Sequence, residues 1–198
     1  MSIETAPPGY SHTPVRAIGN NLSLDFINTA DWNGAGEVIH EKLAAPDDIE
    51  IWLDKLGIRG LASPLGNLSL EELRAYRRDM REVVLSLYRG HAPKPERLQQ
   101  VLSPMCDGPS LVPQASGIGY APTATLQQLV AMHAASMFSA PATRKQLKMC
   151  RGDDCGWFFL DQSKTGRRVW CCMETCGNRA KARRFSARAK EKEKRAAI

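Results

Sequence analysis

Residues 150–188 read CRGDDCGWFFLDQSKTGRRVWCCMETCGNRAKARRFSAR, and this stretch decides how the C-terminal part of the chain folds. Cys150 and Cys155 have four residues between them, as do Cys171 and Cys176, and fifteen residues separate the two pairs. Two short-spaced cysteine pairs joined by a connection of about 15–20 residues are typical of a tetrahedral Zn²⁺ site with four thiolate ligands. Scattered free thiols, or disulfides in a secreted protein, are the alternatives.

The predicted metal site is closed. Four thiolates fill every coordination position, so no position remains for a water molecule that the metal could activate, and we expect one structural, non-catalytic Zn²⁺. Cys172 lies directly beside Cys171 and could take the third position, but the repeated four-residue gap favours Cys171. Asp153 and Asp154 are predicted to be turn residues and not ligands, because mixed thiolate–carboxylate coordination is rarer in structural zinc sites.

The residues around the cysteines predict a small treble-clef-like finger. Gly152 allows the tight knuckle that brings the first two sulfur atoms to one metal. Between the pairs, the sequence predicts a strand, a turn and a partner strand at Trp157–Leu160, Ser163–Gly166 and Arg168–Trp170. A helix then carries Cys176 in its first turns and runs on through Lys194. The small core of this finger is expected from Trp157, Phe159 and Trp170.

Length and composition exclude several classes of protein. The 198 residues suffice for one medium-sized domain and a small appendage, and 43% apolar residues make a buried core feasible. The sequence contains no run of about 18 apolar residues, so no membrane-spanning helix is predicted. The N-terminal stretch MSIETAPPGYSHTP lacks the apolar run that a secretory signal peptide contains. We therefore expect a cytoplasmic protein, whose reduced thiols favour zinc over disulfides.

Charge is unevenly distributed along the chain. Residues 1–143 carry 11 Lys/Arg against 15 Asp/Glu, a net −4, whereas residues 144–198 carry 16 against 6, a net +10. A mildly acidic body with a strongly basic end indicates a segment that contacts a polyanion. A solvated tail without a partner is the alternative.

Residues 1–143 predict a mainly helical α+β domain with a small β element. Helix caps and apolar periodicity predict helices at Pro46–Leu56, Leu70–Arg89, Pro95–Leu102 and Leu126–Phe138. Residues 18–32 suit either a strand or a short helix started by Ser23, and we favour the helix. A hairpin with a turn near Ser116-Gly117 is predicted, with an extended arm at 1–17 and a boundary at Ser139–Thr143.

The N-terminal part shows no catalytic motif, so we expect no enzyme activity. Four polar or aromatic residues could line a small-molecule pocket: Asp25, Asn28, Thr29 and Trp32. Caps and turn hydrogen bonds around a buried segment are the alternative role for them. His133 is predicted to be a packed core residue and not a ligand. The arginines of the 70–89 helix are predicted to form an exposed, ion-paired face: Arg74, Arg77, Arg78 and Arg81.

Two stretches resemble known families. The finger sequence CGWFFLDQSKTGRRVWCCMETCGNRAKARR resembles the CGNR zinc finger, which takes its name from the tetrapeptide at 176–179. LSLDFINT at 22–29, with the helical segments through 138, resembles the ABATE domain that normally precedes this finger. The resemblance implies a bacterial, stress-responsive candidate transcription regulator with a DNA-binding finger. It implies metal ligands at Cys150, Cys155, Cys171 and Cys176.

At position 172 the family usually has Ser, so Cys172 departs from it. We accordingly divide the chain into an ABATE-like domain at 1–143, for ligand sensing or dimerisation, and a CGNR finger at 144–198. A homodimer and a small-molecule ligand of the N-terminal domain are candidate partners, although no heptad pattern is present.

The helix after Cys176 would supply the nucleic-acid contacts, at Arg179, Lys181, Arg183, Arg184, Arg188 and Lys190. Arginine favours bidentate contacts with phosphate or guanine, and the interleaved alanines allow close approach. Duplex DNA is therefore the expected partner. RNA is a close variant that fits less well, since only Phe185 offers a stacking surface. A zinc-stabilised adaptor that binds an acidic protein, without direct DNA binding, is the alternative function.

Overall fold

A computed structural model describes residues 17–33, 35–108, 110–115, 117–152 and 155–196, without the side chains at 193, 194 and 196. The extended arm predicted at 1–17 lies outside this part apart from Ala17, as do Ser116, Asp153 and Asp154. None of the helices in the described part combines the length and the apolar character that crossing a membrane requires.

The described chain is mainly helical, with short strands, as predicted. Its helices are α1 (Leu22–Ile27), α2 (Pro46–Lys55), α3 (Leu70–Tyr88), α4 (Pro95–Leu102), α5 (Leu126–Ser139), α6 (Pro141–Gln146) and α7 (Asn178–Ala196). Its strands are β1 (Ala30–Trp32), β2 (Val38–Glu41), β3 (Leu111–Gln114), β4 (Gly117–Tyr120), β5 (Leu147–Met149) and β6 (Phe158–Leu160). A 3₁₀ turn at Ser103–Cys106 and a π-helical turn at Met173–Gly177 complete the order.

Side-chain caps fix where the helices begin. At the start of α3, the Ser69 hydroxyl accepts from the Glu72 N–H at 3.2 Å, and the Glu72 carboxylate accepts from the Ser69 N–H at 2.8 Å. The short helix is confirmed at Leu22–Ile27, where the strand alternative is wrong, and Ala30–Trp32 of the same stretch form β1. The cap of α1, however, is Asn21, whose Oδ1 accepts from the Ser23 N–H at 2.9 Å. Asn21 is the cap because its side-chain oxygen reaches an N–H group of the first turn, that of Ser23.

Helix α1 lies at the centre of the core, and all six of its residues are buried. It packs between α3 and α5 and also contacts β6. The Phe26 ring lies 6.1 Å from the Trp52 ring and 6.0 Å from the Tyr76 ring, measured between centroids. Leu147, Phe158 and Leu160 join the same cluster of buried side chains. The cysteine-rich segment therefore shares its core with the N-terminal helices, and the division at residue 143 stays a prediction.

In the described part of the chain, three two-stranded antiparallel sheets supply the β structure. The predicted hairpin is β3–β4, in which Leu111 pairs with Tyr120 and Gln114 with Gly117. A second hairpin, β1–β2, pairs Ala30 with Glu41 and was not expected, because its strands lack a clear apolar alternation.

The third sheet differs from the one predicted for the finger. Strand β6 pairs with β5, where Met149 lies opposite Phe158, and not with residues 168–170. The 168–170 segment is held by side chains instead: Lys148 Nζ donates to the carbonyl oxygens of Gly166 at 2.6 Å and Arg168 at 3.2 Å. A backbone hydrogen bond joins this segment to the first knuckle, from the Arg151 N–H to the Val169 carbonyl at 3.2 Å.

The arginines of α3 do not form a uniformly exposed face. Arg78 is half-exposed and lies 3.1 Å from Glu71, as predicted. Arg77 is 0% exposed, however, and its guanidinium forms a paired contact with the Glu41 carboxylate and donates to Thr29 Oγ1 at 2.8 Å. Arg81 is also buried. Both side chains point inward because they share the helix face of the apolar residues, and the partner Glu41 comes from a distant strand.

Candidate metal centre and nucleic-acid interface

The fold brings four cysteine sulfur atoms together. The Sγ atoms of Cys150, Cys155, Cys171 and Cys176 all lie within 4.8 Å of one another. Cys150 follows β5, Cys155 precedes β6, Cys171 ends the returning loop and Cys176 lies in the π-helical turn before α7. Two cysteine pairs with fifteen residues between them therefore meet at one point.

The distances fit tetrahedral zinc. A Zn–S bond of about 2.3 Å places neighbouring ligand sulfurs roughly 3.8 Å apart in a tetrahedron. Cys171 Sγ lies 3.8 Å from Cys155 Sγ and 3.6 Å from Cys176 Sγ. Three of the four residues are buried, and Cys155 is half-buried. The four cysteines form a zinc site, and the prediction of one Zn²⁺ held by this cluster is confirmed.

Backbone donors prepare Cys150 to act as a thiolate. The N–H groups of Gly152 and Cys171 donate to Cys150 Sγ at 3.3 and 3.2 Å. A Cβ atom at position 152 would lie 3.0 Å from Cys176 Sγ and 3.2 Å from Cys155 Cβ, so the glycine leaves room for the knuckle to close around the metal.

Cys172 points away from the cluster. Its Sγ lies 2.5 Å from Glu174 Oε2, whereas Cys171 Sγ contacts the other thiols. We expect Cys172→Ser to retain one equivalent of zinc and Cys171→Ser to lose it, because only the latter removes a sulfur from the tetrahedron. Zinc content of the two purified variants, measured by elemental analysis, checks this prediction. The reverse pattern would reassign the third ligand to Cys172.

Strand β6 is tied to residues 19–32 along its free edge. Asn28 Oδ1 accepts from the Phe158 N–H at 3.1 Å, and Asn28 Nδ2 donates to the Phe158 carbonyl at 2.8 Å. The Leu160 N–H donates to the Gly19 carbonyl at 2.9 Å, and the Trp157 indole donates to the Ala30 carbonyl at 2.9 Å. The buried Asn28 side chain thus replaces a neighbouring strand.

Asp161 organises the loop between the cysteine pairs. Its carboxylate is buried and accepts from Lys148 Nζ at 2.5 Å, from the Ser163 hydroxyl at 2.6 Å and from the Arg168 N–H at 2.8 Å. Arg168 in turn donates to the Cys171 carbonyl at 2.5 Å, and its guanidinium lies 4.2 Å from the centroid of Phe159. Asp161 is not among the predicted site residues, although the pattern Asp-x-Ser after a strand indicates its turn.

Arg81 joins α3 to the first knuckle. Its guanidinium lies 4.5 Å from the centroid of the Trp32 ring, and its Nη2 donates to the Gly156 carbonyl at 3.4 Å. Burial, with a smaller contribution from the positive charge of Arg89, lowers the pKa of Arg81 to about 10. A Cβ atom at position 156 would lie 2.9 Å from Trp32 Cβ and 2.8 Å from Arg81 Nη2, so a side chain there would force this contact to shift.

Helix α7 leaves the metal centre and is solvent-exposed along most of its described length. Between 178 and 192 it carries seven Lys/Arg and one Glu. Of the predicted nucleic-acid contacts, Lys181, Arg183, Arg184, Arg188 and Lys190 are exposed, and Arg179 is half-buried. The end of the helix holds an ion pair between Arg195 and Glu191 at 2.7 Å.

The basic residues of α7 form two rows. At 100° per residue, Lys181, Arg184 and Arg188 lie along one side of the helix. Arg179, Arg183 and Lys190 lie along another. The strip between the rows contains Ala182, Phe185 and Ala189, and Phe185 is 76% exposed. The helix therefore presents a narrow apolar strip flanked by cations.

Two family models match the chain. The CGNR zinc finger matches residues 146–189, and the ABATE family, described as "Putative stress-induced transcription regulator", matches residues 20–141. The second match alone spans more than half of the chain. The chain belongs to the ABATE family. Its cysteine-rich segment is a CGNR zinc finger, and no curated protein matches the chain.

The predicted ligand pocket of the ABATE segment consists of buried side chains that bond to the protein itself. Asp25 accepts from the N–H groups of Ile18 and Gly19 at 2.9 and 2.8 Å. Thr29 Oγ1 accepts a hydrogen bond from Arg77, and the Asn28 side chain donates to the Phe158 carbonyl of the CGNR finger. The Trp32 indole donates to the Ile27 carbonyl at 2.9 Å. These contacts agree with the alternative role in a buried segment, and a ligand at these residues stays a prediction.

His133 of the ABATE segment is half-buried, and burial lowers its pKa. Its Nε2 lies 3.0 Å from the Tyr120 hydroxyl. This contact joins α5 to the β3–β4 hairpin, which fits the predicted packing role.

The buried carboxyl of Asp25 makes ABATE stability depend on pH. Burial raises its pKa from 3.8 to about 6, against the lowering effect of the Gly19 and Ile18 hydrogen bonds. Between these values the folded chain holds a proton that the unfolded chain has released, so rising pH lowers the free energy of unfolding, by about 2–3 kcal/mol in total. Asp25→Asn keeps the acceptor oxygen and removes this dependence.

We expect Asp25→Asn to gain stability relative to the parent protein as pH rises from about 4 to about 6. Urea unfolding of both proteins at a series of pH values measures the difference. Zinc release in acid affects both proteins alike and cancels in the comparison. A difference that stays constant across this range would show that Asp25 is ionised in both states.

Proposed function

We propose that this ABATE protein is a transcription regulator whose CGNR finger binds duplex DNA through α7. The observation that carries the proposal is a cation-rich, exposed helix that begins at a closed four-thiolate centre. The metal fixes the direction in which α7 leaves the body, and its saturated coordination gives the metal a structural role. The proposed role is therefore regulatory and non-enzymatic.

The two basic rows of α7 suit a helix lying in the major groove. Each row would contact the phosphates of one strand, while the strip of Ala182, Phe185 and Ala189 faces the base edges. An α-helix of 19 residues is about 28 Å long, enough to follow the groove across several base pairs. Transcription in bacteria takes place in the cytoplasm, and the proposal includes that location.

Salt dependence of DNA binding tests the proposal. With six phosphate contacts from α7, the logarithm of the binding constant should fall with the logarithm of salt concentration at a slope of roughly −5. Removal of four arginines should reduce the slope to roughly −2 and weaken binding by more than about a hundredfold. The variant combines Arg179→Ala, Arg183→Ala, Arg184→Ala and Arg188→Ala.

A matched control variant separates the loss of DNA contacts by α7 from the effect of lower net positive charge. It removes four arginines from other surfaces, namely Arg59, Arg78, Arg89 and Arg144. Selection of binding sites from genomic fragments, with zinc-loaded protein, should enrich the same sites for parent and control and none for the α7 variant. Equal weakening in both variants, or binding insensitive to salt, contradicts the proposal. A partner protein that survives nuclease treatment would then favour the adaptor function.

A further inference from the structure

A cleft of about 430 Å³ opens between the end of α3 and the CGNR finger. Tyr88 lies on one side, β5 contributes Lys148 and Met149, and the knuckle and the returning loop contribute Arg151 and Arg167. Clefts that enclose small organic molecules measure about 300–1,000 Å³. This one is large enough for a ligand of roughly mononucleotide size.

The cations around the cleft fall into two classes. Lys148 is neutralised by Asp161 at 2.5 Å, and Arg168 bonds to the carbonyl oxygens of Ile18 and Cys171 at 3.0 and 2.5 Å. These two side chains hold the loop in place. Arg151 and Arg167 are exposed, and within the described part of the chain neither guanidinium has a hydrogen bond or an ion pair. No Asp or Glu is among the described residues that line the cleft. Within the described part of the chain, these two guanidinium groups therefore have no carboxylate partner at the rim.

Tyr88 supplies the apolar wall. Its ring packs edge-to-face on Phe158 at 5.9 Å between centroids, and 41% of the residue remains exposed. Phe158 is fully buried in the shared core, so the Tyr88 ring has a rigid support. A flat apolar group in the cleft could pack against this ring and against Met149.

We propose that the cleft binds a phosphate monoester attached to an aromatic ring system, with the phosphate between Arg151 and Arg167 and the ring against Tyr88. Two guanidinium groups match the charge of a phosphate monoester, about −1.5 to −2 at neutral pH, and favour its oxygens through bidentate contacts. A phosphate of duplex DNA is a weaker match, because it carries a single charge and its base pairs keep the rings away from Tyr88. The inference does not rest on DNA binding by α7.

Calorimetric titration of the zinc-loaded full chain with three probes tests the proposal. The probes are AMP, which has both groups, inorganic phosphate, and adenosine. We expect AMP to bind with one-to-one stoichiometry and at least about tenfold more tightly than either part. Arg151→Gln and Arg167→Gln should each weaken AMP binding roughly tenfold, since each removes charge-assisted hydrogen bonds. Tyr88→Ala should weaken AMP binding and leave phosphate binding unchanged.

Arg144→Gln is the matched control, because Arg144 is exposed on α6 and its loss changes the net charge equally. Equal zinc content in every variant shows that the metal site is intact. Absence of saturable AMP binding at millimolar concentration overturns the proposal, as does equal weakening by Arg144→Gln. If AMP does not bind and Arg167→Gln weakens duplex binding, the cleft belongs to the nucleic-acid surface. Loss of AMP binding with an unchanged DNA salt slope would leave the DNA proposal standing.

Discussion

Removal of zinc by a strong chelator is expected to unfold the CGNR finger while the ABATE helices stay folded. The finger has little apolar core of its own: among its described residues, Phe159 is the one fully buried aromatic in the cysteine cluster. Binding of structural zinc to finger peptides contributes about 10–16 kcal/mol, which exceeds what so small a core supplies. Amide hydrogen exchange should accelerate by about a hundredfold or more in residues 161–177 and at the start of α7.

The same measurement contains its own control. Exchange in α3 and α5 should change little, because their buried side chains belong to the larger core. Strand β6 should respond partially, since Phe158 and Leu160 lie in that core whereas Phe159 lies against the thiols. Addition of excess zinc should restore protection. Unchanged exchange around the cysteines after complete metal removal would show that the finger folds without zinc.

Arg77→Met is expected to destabilise the protein by about 3 kcal/mol. Arg77 is 0% exposed and bonds to the Glu41 carboxylate and to Thr29, so the substitution leaves a carboxylate and a carbonyl without their buried donor. Glu41 keeps a longer contact with Arg74 at 3.6 Å, which limits the loss. The free energy of unfolding, from urea titration with zinc present, measures the effect.

Arg78→Met, one residue further along the same helix, is the control for this prediction. Arg78 has a side chain that is 49% exposed and contacts Glu71 at 3.1 Å, so its loss should change stability by no more than about 0.5 kcal/mol. Similar losses for the two variants would mean that the ion pair to Glu41 contributes no more than a surface contact.

The helices and the metal centre could be predicted because their signals are local. Ser69 and Glu72 mark the start of α3 within four residues, and each cysteine pair shows its spacing directly in the sequence. The π-helical turn at Met173–Gly177 also agrees with the expected position of Cys176 at the start of a helix.

The missed features depend on partners that are distant in sequence. Strand β6 pairs with β5 because the N-terminal segment occupies its other edge, through Asn28 and Gly19. Nothing near residue 158 indicates that arrangement. Arg77 and Arg81 looked like surface residues because the acidic neighbours on their own helix offered local ion pairs, whereas their partners are Glu41 and the Trp32 ring. Buried ion pairs across elements leave no periodic signal.

Zinc K-edge X-ray absorption of the purified, metal-loaded protein tests the central claim most directly, since the claim is that four thiolates hold one zinc and position α7. We predict one zinc per chain with four sulfur neighbours at about 2.3 Å and no lighter ligand. A first coordination shell of the zinc that contains nitrogen or oxygen would contradict the claim. Gently prepared protein that contains no zinc would contradict it as well.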